Sequence, residues 1–145
     1  RSLTDLKAQF DLTYLFISHD LNVVRYISDK VLVMYLGEIV ELGTVEAVYD
    51  QPRHPYTMAL LKAQPTMDPN RRTTEAPISG DPPNPLNPPP GCRFHTRCPF
   101  AEAVCGAQVP KVVAVDGAAH QVACHIADPA SGHTRVGKSM ESGAA

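Results

Sequence analysis

The chain has 145 residues, 43% of them hydrophobic, and a formal net charge of -2, so it has enough apolar residues for the core of one domain. This weak charge and the lack of a long basic stripe exclude an electrostatic surface for nucleic acid. No apolar run approaches the roughly 18 residues of a membrane-spanning helix, and we expect a cytoplasmic protein.

The first residues predict a helix, a strand and a second helix. Apolar residues at helical spacing run from Leu3 to Phe10, and because the chain starts there without Met, we expect a fragment of a longer protein. Residues 12–18, LTYLFIS, form an unbroken apolar run, which predicts a strand buried on both faces. Residues 21–30 have the pattern of a short helix, for which Asp20 is a suitable N-cap.

A predicted β-hairpin and two further helices follow. Residues 31–36, VLVMYL, predict a second buried strand, and residues 38–43 alternate like a return strand after a tight turn at Gly37. Helices are predicted to begin after Thr44, which can act as an N-cap, and at Pro55, which suits a first helical turn. Together with the first strand, these elements predict an α/β fold.

The segment 65–91 contains nine of the fourteen prolines of the chain. Proline lacks a backbone N–H group, so this segment excludes helix interiors and central strands. It is either an extended spacer or an ordered strap. We favour the strap, because the segment leads directly into a cysteine-rich region that needs positioning.

All four cysteines fall within residues 92–128, at Cys92, Cys98, Cys105 and Cys124. They could form disulfides in three pairings, remain free thiols, or bind a metal. A structural zinc site suits four thiolates, and the further zinc donors in this region are His95, His120 and His125. An iron–sulfur cluster takes one thiolate for each iron.

The compartment and the spacing favour the cluster. A reducing cytoplasm disfavours disulfides, and zinc ligands usually come in C-x₂₋₄-C pairs, which this chain lacks. A cubane is wider than a single ion and accepts ligands from longer loops. Arg93 and Arg97 flank the cysteines, where we expect them to offset the negative charge of a thiolate-ligated cluster.

The last residues contain a match to a phosphate-binding loop. Residues 132–139, GHTRVGKS, fit the pattern G-x-x-x-x-G-K-[ST]. Such a loop needs a following helix, whose free N–H groups face the phosphates. Only six residues follow Ser139, too few for a stable helix. We therefore interpret the match as chance within a flexible tail, residues 129–145, and expect no phosphate at Lys138.

His19 lies between the first predicted strand and the helix after it, where open α/β sheets bind ligands. The stretches FISHD, VMYLGEIVELG and HPYTMALL around and after it resemble the C-terminal half of an ABC transporter nucleotide-binding domain of the oligopeptide/dipeptide import subfamily. The resemblance implies a P-loop ATPase fold, RecA-like, for which residues 1–64 supply the C-terminal part. It also implies that His19, as the switch histidine, contacts the γ-phosphate of ATP bound with Mg²⁺ and helps to hold the attacking water and the catalytic Glu.

The cysteine region extends this resemblance. Residues 91–98, GCRFHTRC, are similar to the core of a C-terminal extension in these subunits, whose members bind a [4Fe-4S] cluster through four cysteines. The resemblance thus implies a small, irregular, Cys-rich metal-binding extension at 92–128 with the ligands Cys92, Cys98, Cys105 and Cys124, Zn²⁺ being the alternative to the cluster. The family's Walker A, signature and Walker B motifs precede its switch histidine and have no room in residues 1–11. We therefore expect the chain alone to be inactive.

The resemblance implies partners as well. These are a second ATP-binding subunit, transmembrane permease subunits and, indirectly, an extracytoplasmic peptide-binding protein, with the ATP-binding subunit peripheral on the cytoplasmic face of the membrane. A second interpretation, from another class, is a stand-alone zinc- or cluster-binding interaction module without an ATPase role. Upstream sequence would discriminate between the two, because only the transporter subunit needs a Walker A motif there.

Overall fold

Helices and strands lie on both sides of the proline-rich segment in the computed structural model of the protein, which describes residues 3–64, 78, 80–117 and 119–138. Before the prolines lie α1 (Leu3–Phe10), α2 (Leu21–Ile27), β1 (Lys30–Tyr35), β2 (Glu38–Thr44), α3 (Val45–Asp50) and α4 (Pro55–Lys62). After them lie a 3₁₀ turn (His95–Arg97), α5 (Ala103–Ala107), β3 (Val112–Val115) and β4 (His120–Ala123). The predicted mixture of helices and strands is confirmed.

One antiparallel sheet joins the two halves of the chain, with strand order β1-β2-β4-β3. β1 and β2 form the predicted hairpin, and β4 pairs with β2 where Glu41 lies opposite Val122. β3 completes the sheet by pairing with β4. The cysteine-rich region is therefore not the irregular extension that we expected, because two of its segments are strands of the same sheet as the first half.

Both hairpin turns place two consecutive residues at positive φ. These are Leu36 and Gly37 in the first turn, at 46° and 80°, and Asp116 and Gly117 in the second, at 51° and 98°. A two-residue turn with positive φ, as at Leu36 and Gly37, matches the right-handed twist of the strands that it connects. The predicted turn at Gly37 is confirmed, whereas the connection between β3 and β4 spans residues 116–119, since Val115 pairs with His120.

The predicted strand at residues 12–18 is wrong. The segment forms neither helix nor strand, and its side chains face solvent, with Leu15 92% and Ile17 88% exposed. A strand needs a neighbour that pairs its backbone N–H and C=O groups. No strand among the described residues pairs with this segment, so its apolar composition alone does not create one.

The predicted helix starts are confirmed. The carboxylate of Asp20 accepts the N–H groups of Asn22 and Val23 at 2.9 and 3.2 Å, and the hydroxyl of Thr44 caps α3. Pro55 is the first residue of α4. No helix in the described part of the chain is long and apolar enough to cross a membrane.

An aromatic cluster connects the β1–β2 hairpin to the cysteine-rich region. Phe94, from the 3₁₀ turn region, packs edge-on against Tyr35 with ring centroids 5.2 Å apart, and against Tyr56 at 5.4 Å. Ile78 of the proline-rich segment packs on the same cluster. Most of that segment, residues 65–77 and 79, lies outside the described residues, so the choice between strap and spacer stays a prediction there.

Candidate functional site

The four cysteines lie in the wall of one small cavity. Cys92 and Cys98 flank the 3₁₀ turn, Cys105 lies in α5, and Cys124 follows β4. All four are free thiols in the structure. The space between them is about 10 Å³, room for about one water molecule. The remaining wall residues are His54, Pro55, Phe94, His95, Phe100, His125, Ile126 and His133.

Gly91 allows the proline-rich segment to lead into this cavity. Its φ is 67°, a conformation that suits glycine. A Cβ atom at this position would lie only 2.4 Å from the carbonyl oxygen of Cys105. The same carbonyl accepts the N–H group of Cys92 at 2.8 Å. The close backbone approach that brings these two cysteines together therefore requires glycine at position 91.

Burial keeps three of the four thiols protonated. Desolvation raises the pKa of Cys92, raises that of Cys98 to about 11, and raises that of Cys124 to about 12. The neighbouring thiols of the cavity raise these pKa values further. A metal centre at this cavity would have to displace the thiol protons, because thiolates are the metal ligands.

Backbone N–H groups hydrogen-bond to three of the four sulfur atoms and oppose this effect of burial. The donors follow their cysteine by two or three residues: Phe94 and His95 for Cys92, Phe100 for Cys98, and Ile126 and Ala127 for Cys124. Such donors stabilise a thiolate ligand. Within the described ranges, however, no three His, Cys, Asp or Glu side chains form a group that could hold a single metal ion. The thiols share one cavity without a preformed single-ion site.

Three of the four wall histidines are paired through a ring nitrogen with a backbone carbonyl. His95 Nδ1 lies 2.8 Å from the oxygen of Cys92, and Nε2 of His125 and His133 lie 2.9 Å from the oxygens of Gln108 and Phe100. His120, a zinc donor candidate in the sequence, is not in the wall and contacts Glu41 instead. Arg93 forms an ion pair with Glu38 at 2.9 Å, which connects it to the β1–β2 hairpin. Its expected role in offsetting charge at the cysteines stays a prediction.

His54, the fourth wall histidine, was not anticipated from the sequence. Its side chain is 1% exposed, and burial lowers its pKa to about 3, so the ring is neutral. Nδ1 accepts the N–H group of Tyr56 at 3.0 Å, which caps α4. Nε2 has no hydrogen-bond partner among the described residues. The one sequence signal was its position before Pro55, which predicts an N-cap but not a cavity residue.

His19 lies away from this cavity, in a bend directly before α2. Its side chain is exposed, and the neighbouring N–H group of Asp20 is held by the hydroxyl of Ser18 at 3.0 Å. The predicted helix after His19 is present, whereas the predicted strand before it is not. The structure therefore leaves His19 accessible to a ligand without assigning one.

One residue of the phosphate-loop match, His133, lies in the wall of the cysteine cavity. Residues 134–137 form turns, and Ser139 lies outside the described residues, so the flexible tail expected at residues 129–145 stays a prediction. His133 is 4% exposed in the cavity wall, and both the N–H and the hydroxyl of Thr134 donate to the carboxylate of Glu102. The N–H of Lys138 donates to Arg135 at 3.0 Å. No helix follows in the described chain.

Comparison with known proteins assigns the class. Residues 40–105 match the family described as "Oligopeptide/dipeptide transporter, C-terminal region". The chain is 49% identical over 124 residues to the Di/tripeptide transport ATP-binding protein DppF of Pseudomonas aeruginosa, across 86% of this chain and 38% of that protein. It is 48% identical over 126 residues to the Oligopeptide transport ATP-binding protein AppF of Bacillus subtilis, with the same coverage.

A third relative agrees with these two. The probable peptide ABC transporter ATP-binding protein y4tS of Sinorhizobium fredii is 50% identical over 130 residues, across 89% of this chain and 36% of that protein. The chain therefore belongs to the ATP-binding subunits of ABC transporters. More narrowly, it corresponds to the C-terminal part of a subunit of the oligopeptide/dipeptide type, and it spans less than two fifths of the length of these relatives.

Proposed function

We propose that the protein is part of the ATP-hydrolysing subunit that energises peptide import by an ABC transporter. The observation that carries this proposal is the identity of about half of the aligned residues to subunits named for di/tripeptide and oligopeptide transport. The exposed apolar segment 12–18 agrees with it, because contiguous exposed apolar side chains mark a surface that contacts other protein. In the assembled transporter the subunit pairs with a second ATP-binding subunit and docks on permeases at the cytoplasmic face of the membrane, and an extracytoplasmic peptide-binding protein delivers the substrate.

His19 is the residue of this chain that acts in hydrolysis. Its exposed imidazole, held at the start of α2, donates a hydrogen bond to the γ-phosphate of ATP–Mg²⁺ and helps to position the attacking water. Positioned donors at developing phosphoryl charge lower the barrier by electrostatic stabilisation. The catalytic Glu and the phosphate-binding loop of the family come from other parts of such a subunit, so the 145-residue chain alone does not turn over ATP.

Steady-state ATP hydrolysis by the full-length subunit, assembled with its permeases, tests this proposal. His19→Ala should lower kcat by about 100-fold, the loss typical of one removed transition-state donor. Lys138→Ala, the matched control in the phosphate-loop match, should leave kcat near wild type. If Lys138→Ala abolished hydrolysis while His19→Ala kept the wild-type kcat, the assignment of His19 rather than Lys138 to hydrolysis would be wrong. Turnover by the 145-residue chain above a buffer blank would contradict its expected inactivity.

A [4Fe-4S] cluster held by Cys92, Cys98, Cys105 and Cys124 is the second part of the proposal. Four free thiols in one cavity wall, with backbone N–H donors on three of the sulfurs, form a donor set that fits such a cluster. A bound cluster would cross-link the 3₁₀ turn region, α5 and the end of β4 through these cysteines. The cysteines supply the thiolates, and the wall of apolar and histidine side chains excludes solvent.

Metal content measured on anaerobically purified chain tests the cluster. About four Fe and four sulfide per chain, with broad absorbance near roughly 400 nm, are expected. Substitution of any one of the four cysteines by Ala should lower the iron content. A colourless sample with one Zn²⁺ per chain would overturn the cluster in favour of zinc. Neither outcome depends on the ATPase assay, so the two parts of the proposal are tested separately.

A further inference from the structure

Among the residues that line the four-cysteine cavity, one buried side-chain nitrogen has no partner in the described chain, the Nε2 atom of His54. Because Nδ1 accepts the N–H group of Tyr56 at 3.0 Å, the neutral ring carries its proton on Nε2. The side chain is 1% exposed, so water does not satisfy this N–H group from outside. Buried donors are nearly always paired, and each exception calls for an explanation.

His133, in the same wall, has the same local geometry as His54, but both of its ring nitrogens are paired. Its Nδ1 accepts the N–H group of Arg135 at 3.1 Å. Arg135 follows His133 by two residues, just as Tyr56 follows His54. Its Nε2 then donates to the carbonyl of Phe100 at 2.9 Å. The two histidines share one tautomer and one local geometry. They differ in that Nδ1 of His133 also lies 3.4 Å from Oε1 of Glu102, and in that the Nε2 proton of His54 has no acceptor within the described chain.

His54 is held in place rather than free to turn away. Its backbone N–H donates to Oε2 of Glu41 at 3.0 Å, and the N–H of Arg53 donates to Oε1 of the same side chain at 2.7 Å. The ring packs against Phe94 with centroids 5.8 Å apart. With its Nδ1 fixed by the helix cap, the Nε2–H group has one preferred direction. The donor is therefore preorganised before any ligand binds.

We propose that the Nε2–H group of His54 donates a hydrogen bond to a sulfur atom of the iron–sulfur cluster held by the four cysteines. This inference rests on the cluster part of the proposed function. Cluster sulfides and thiolates are anionic acceptors of the kind that the unpaired donor lacks. A hydrogen bond to a cluster sulfur stabilises the more negative, reduced form, and hydrogen bonds of this kind set cluster potentials. His54 thus tunes the reduction potential without being a ligand.

The test compares three variants of the complete chain, each purified anaerobically. His54→Asn keeps an acceptor in place of Nδ1 for the helix cap and removes the distal donor, since Asn is a good N-cap. His54→Gln places an amide N–H near the position of Nε2 but loses the cap. His133→Asn is the matched control, with the same substitution at the wall histidine whose donor is already paired. The measurements are iron and sulfide content, the reduction potential, and pulsed EPR of the reduced cluster with histidine ¹⁵N-labelled only at the ring nitrogens, because the backbone N–H of His95 also faces a cysteine sulfur.

We expect wild-type iron and sulfide in all three variants. The potential should shift to more negative values in His54→Asn, lie between this value and wild type in His54→Gln, and stay at the wild-type value in His133→Asn. A histidine ¹⁵N coupling should be present in wild type and in His133→Asn and absent in His54→Asn. The ¹⁵N coupling is measured on the wild-type chain as well, so the inference can be tested even if a variant fails to fold.

Two results would overturn the inference alone. One is a His54→Asn variant that has the iron content, the reduction potential and the ¹⁵N coupling of wild type. The other is an equal shift in His133→Asn, which would mean that any loosening of the wall has this effect. Wild-type chain without iron and sulfide would instead overturn the cluster proposal, and the inference with it.

Discussion

Oε1 of Glu41 lies 2.8 Å from Nε2 of His120, and this contact connects β2 to β4 in the buried part of the sheet. Glu41 is 0% exposed, and its carboxylate also accepts the backbone N–H groups of Arg53 and His54. A buried carboxylate with three donors is fully satisfied. Through these contacts a residue of the first half anchors both the cysteine-rich region and the histidine of the cavity wall.

Substitution of Glu41 by Ala should destabilise the chain strongly. The change leaves two backbone N–H groups and the His120 ring without their acceptor, and we expect a loss of about 3 kcal/mol in the free energy of unfolding. Glu41→Gln keeps one acceptor oxygen and should lose less. Urea denaturation measures both. If Glu41→Ala stayed within about 0.5 kcal/mol of wild type, the carboxylate would not anchor the site.

The buried neutral ring of His54 should make the chain sensitive to acid. Burial lowers its pKa in the folded state to about 3, from the ordinary histidine value of 6.5. Below pH 6.5 the unfolded chain therefore binds a proton that the folded chain does not, so stability falls as pH decreases toward 3. Between pH 7 and pH 5 this difference is worth about 2 kcal/mol.

His54→Asn removes the titrating group and keeps the helix cap. Urea midpoints of wild type and variant should therefore diverge in their pH dependence, with wild type losing more stability on acidification. The chain with its metal removed is the sample to use, because ligand binding would add its own pH dependence. Parallel pH profiles for the two proteins would show that the ring does not titrate in this way.

The elements that the sequence predicted correctly are those set by neighbouring residues. Turn chemistry at Gly37 and capping at Asp20, Thr44 and Pro55 involve groups within a few positions of each other, so their patterns are visible in the chain. The β3–β4 hairpin also had a local signal in VVAVDGAAHQVA, where an Asp-Gly pair follows a Val-rich run and begins the four-residue connection. This hairpin was not predicted.

The features that the sequence did not predict depend on distant partners. Residues 12–18 have strand composition but no described partner, because pairing is a property of two segments. Glu41 and His120 are 79 positions apart, and nothing local marks either residue as buried. The orphaned ring nitrogen of His54 likewise follows from the fold around it. The sequence placed the four cysteines in one region, and only the fold brings them to one cavity.

Gly91→Ala should disrupt the cysteine cavity far more than the same change at Gly80. Both glycines have similar positive φ values, 67° and 78°, so both variants suffer the backbone strain of an L residue, about 1 kcal/mol. At position 91 the new Cβ would also lie 2.4 Å from the carbonyl of Cys105, whereas nothing lies within 4 Å at position 80. We expect Gly91→Ala to lose about 3 kcal/mol or more of stability and most of its bound iron.

Thermal unfolding and iron content of the two glycine variants measure this difference. Gly80→Ala serves as the control for the φ penalty, and its iron content should equal that of wild type. Equal losses in the two variants would mean that the close approach of residue 91 to Cys105 does not shape the cavity.

Removal of the turns at residues 131–138 should expose the cysteines. His133 lies in the cavity wall, and the backbone N–H of Thr134 donates a hydrogen bond to Glu102, which directly precedes α5. A chain that ends at Ala130 therefore lacks part of the wall, and its thiols should react faster with an aromatic disulfide reagent under metal-free conditions. A chain that ends at Lys138 keeps these contacts and should react at the wild-type rate. The same rate in all three chains would mean that residues 131–138 do not cover the thiols, as expected of a flexible tail.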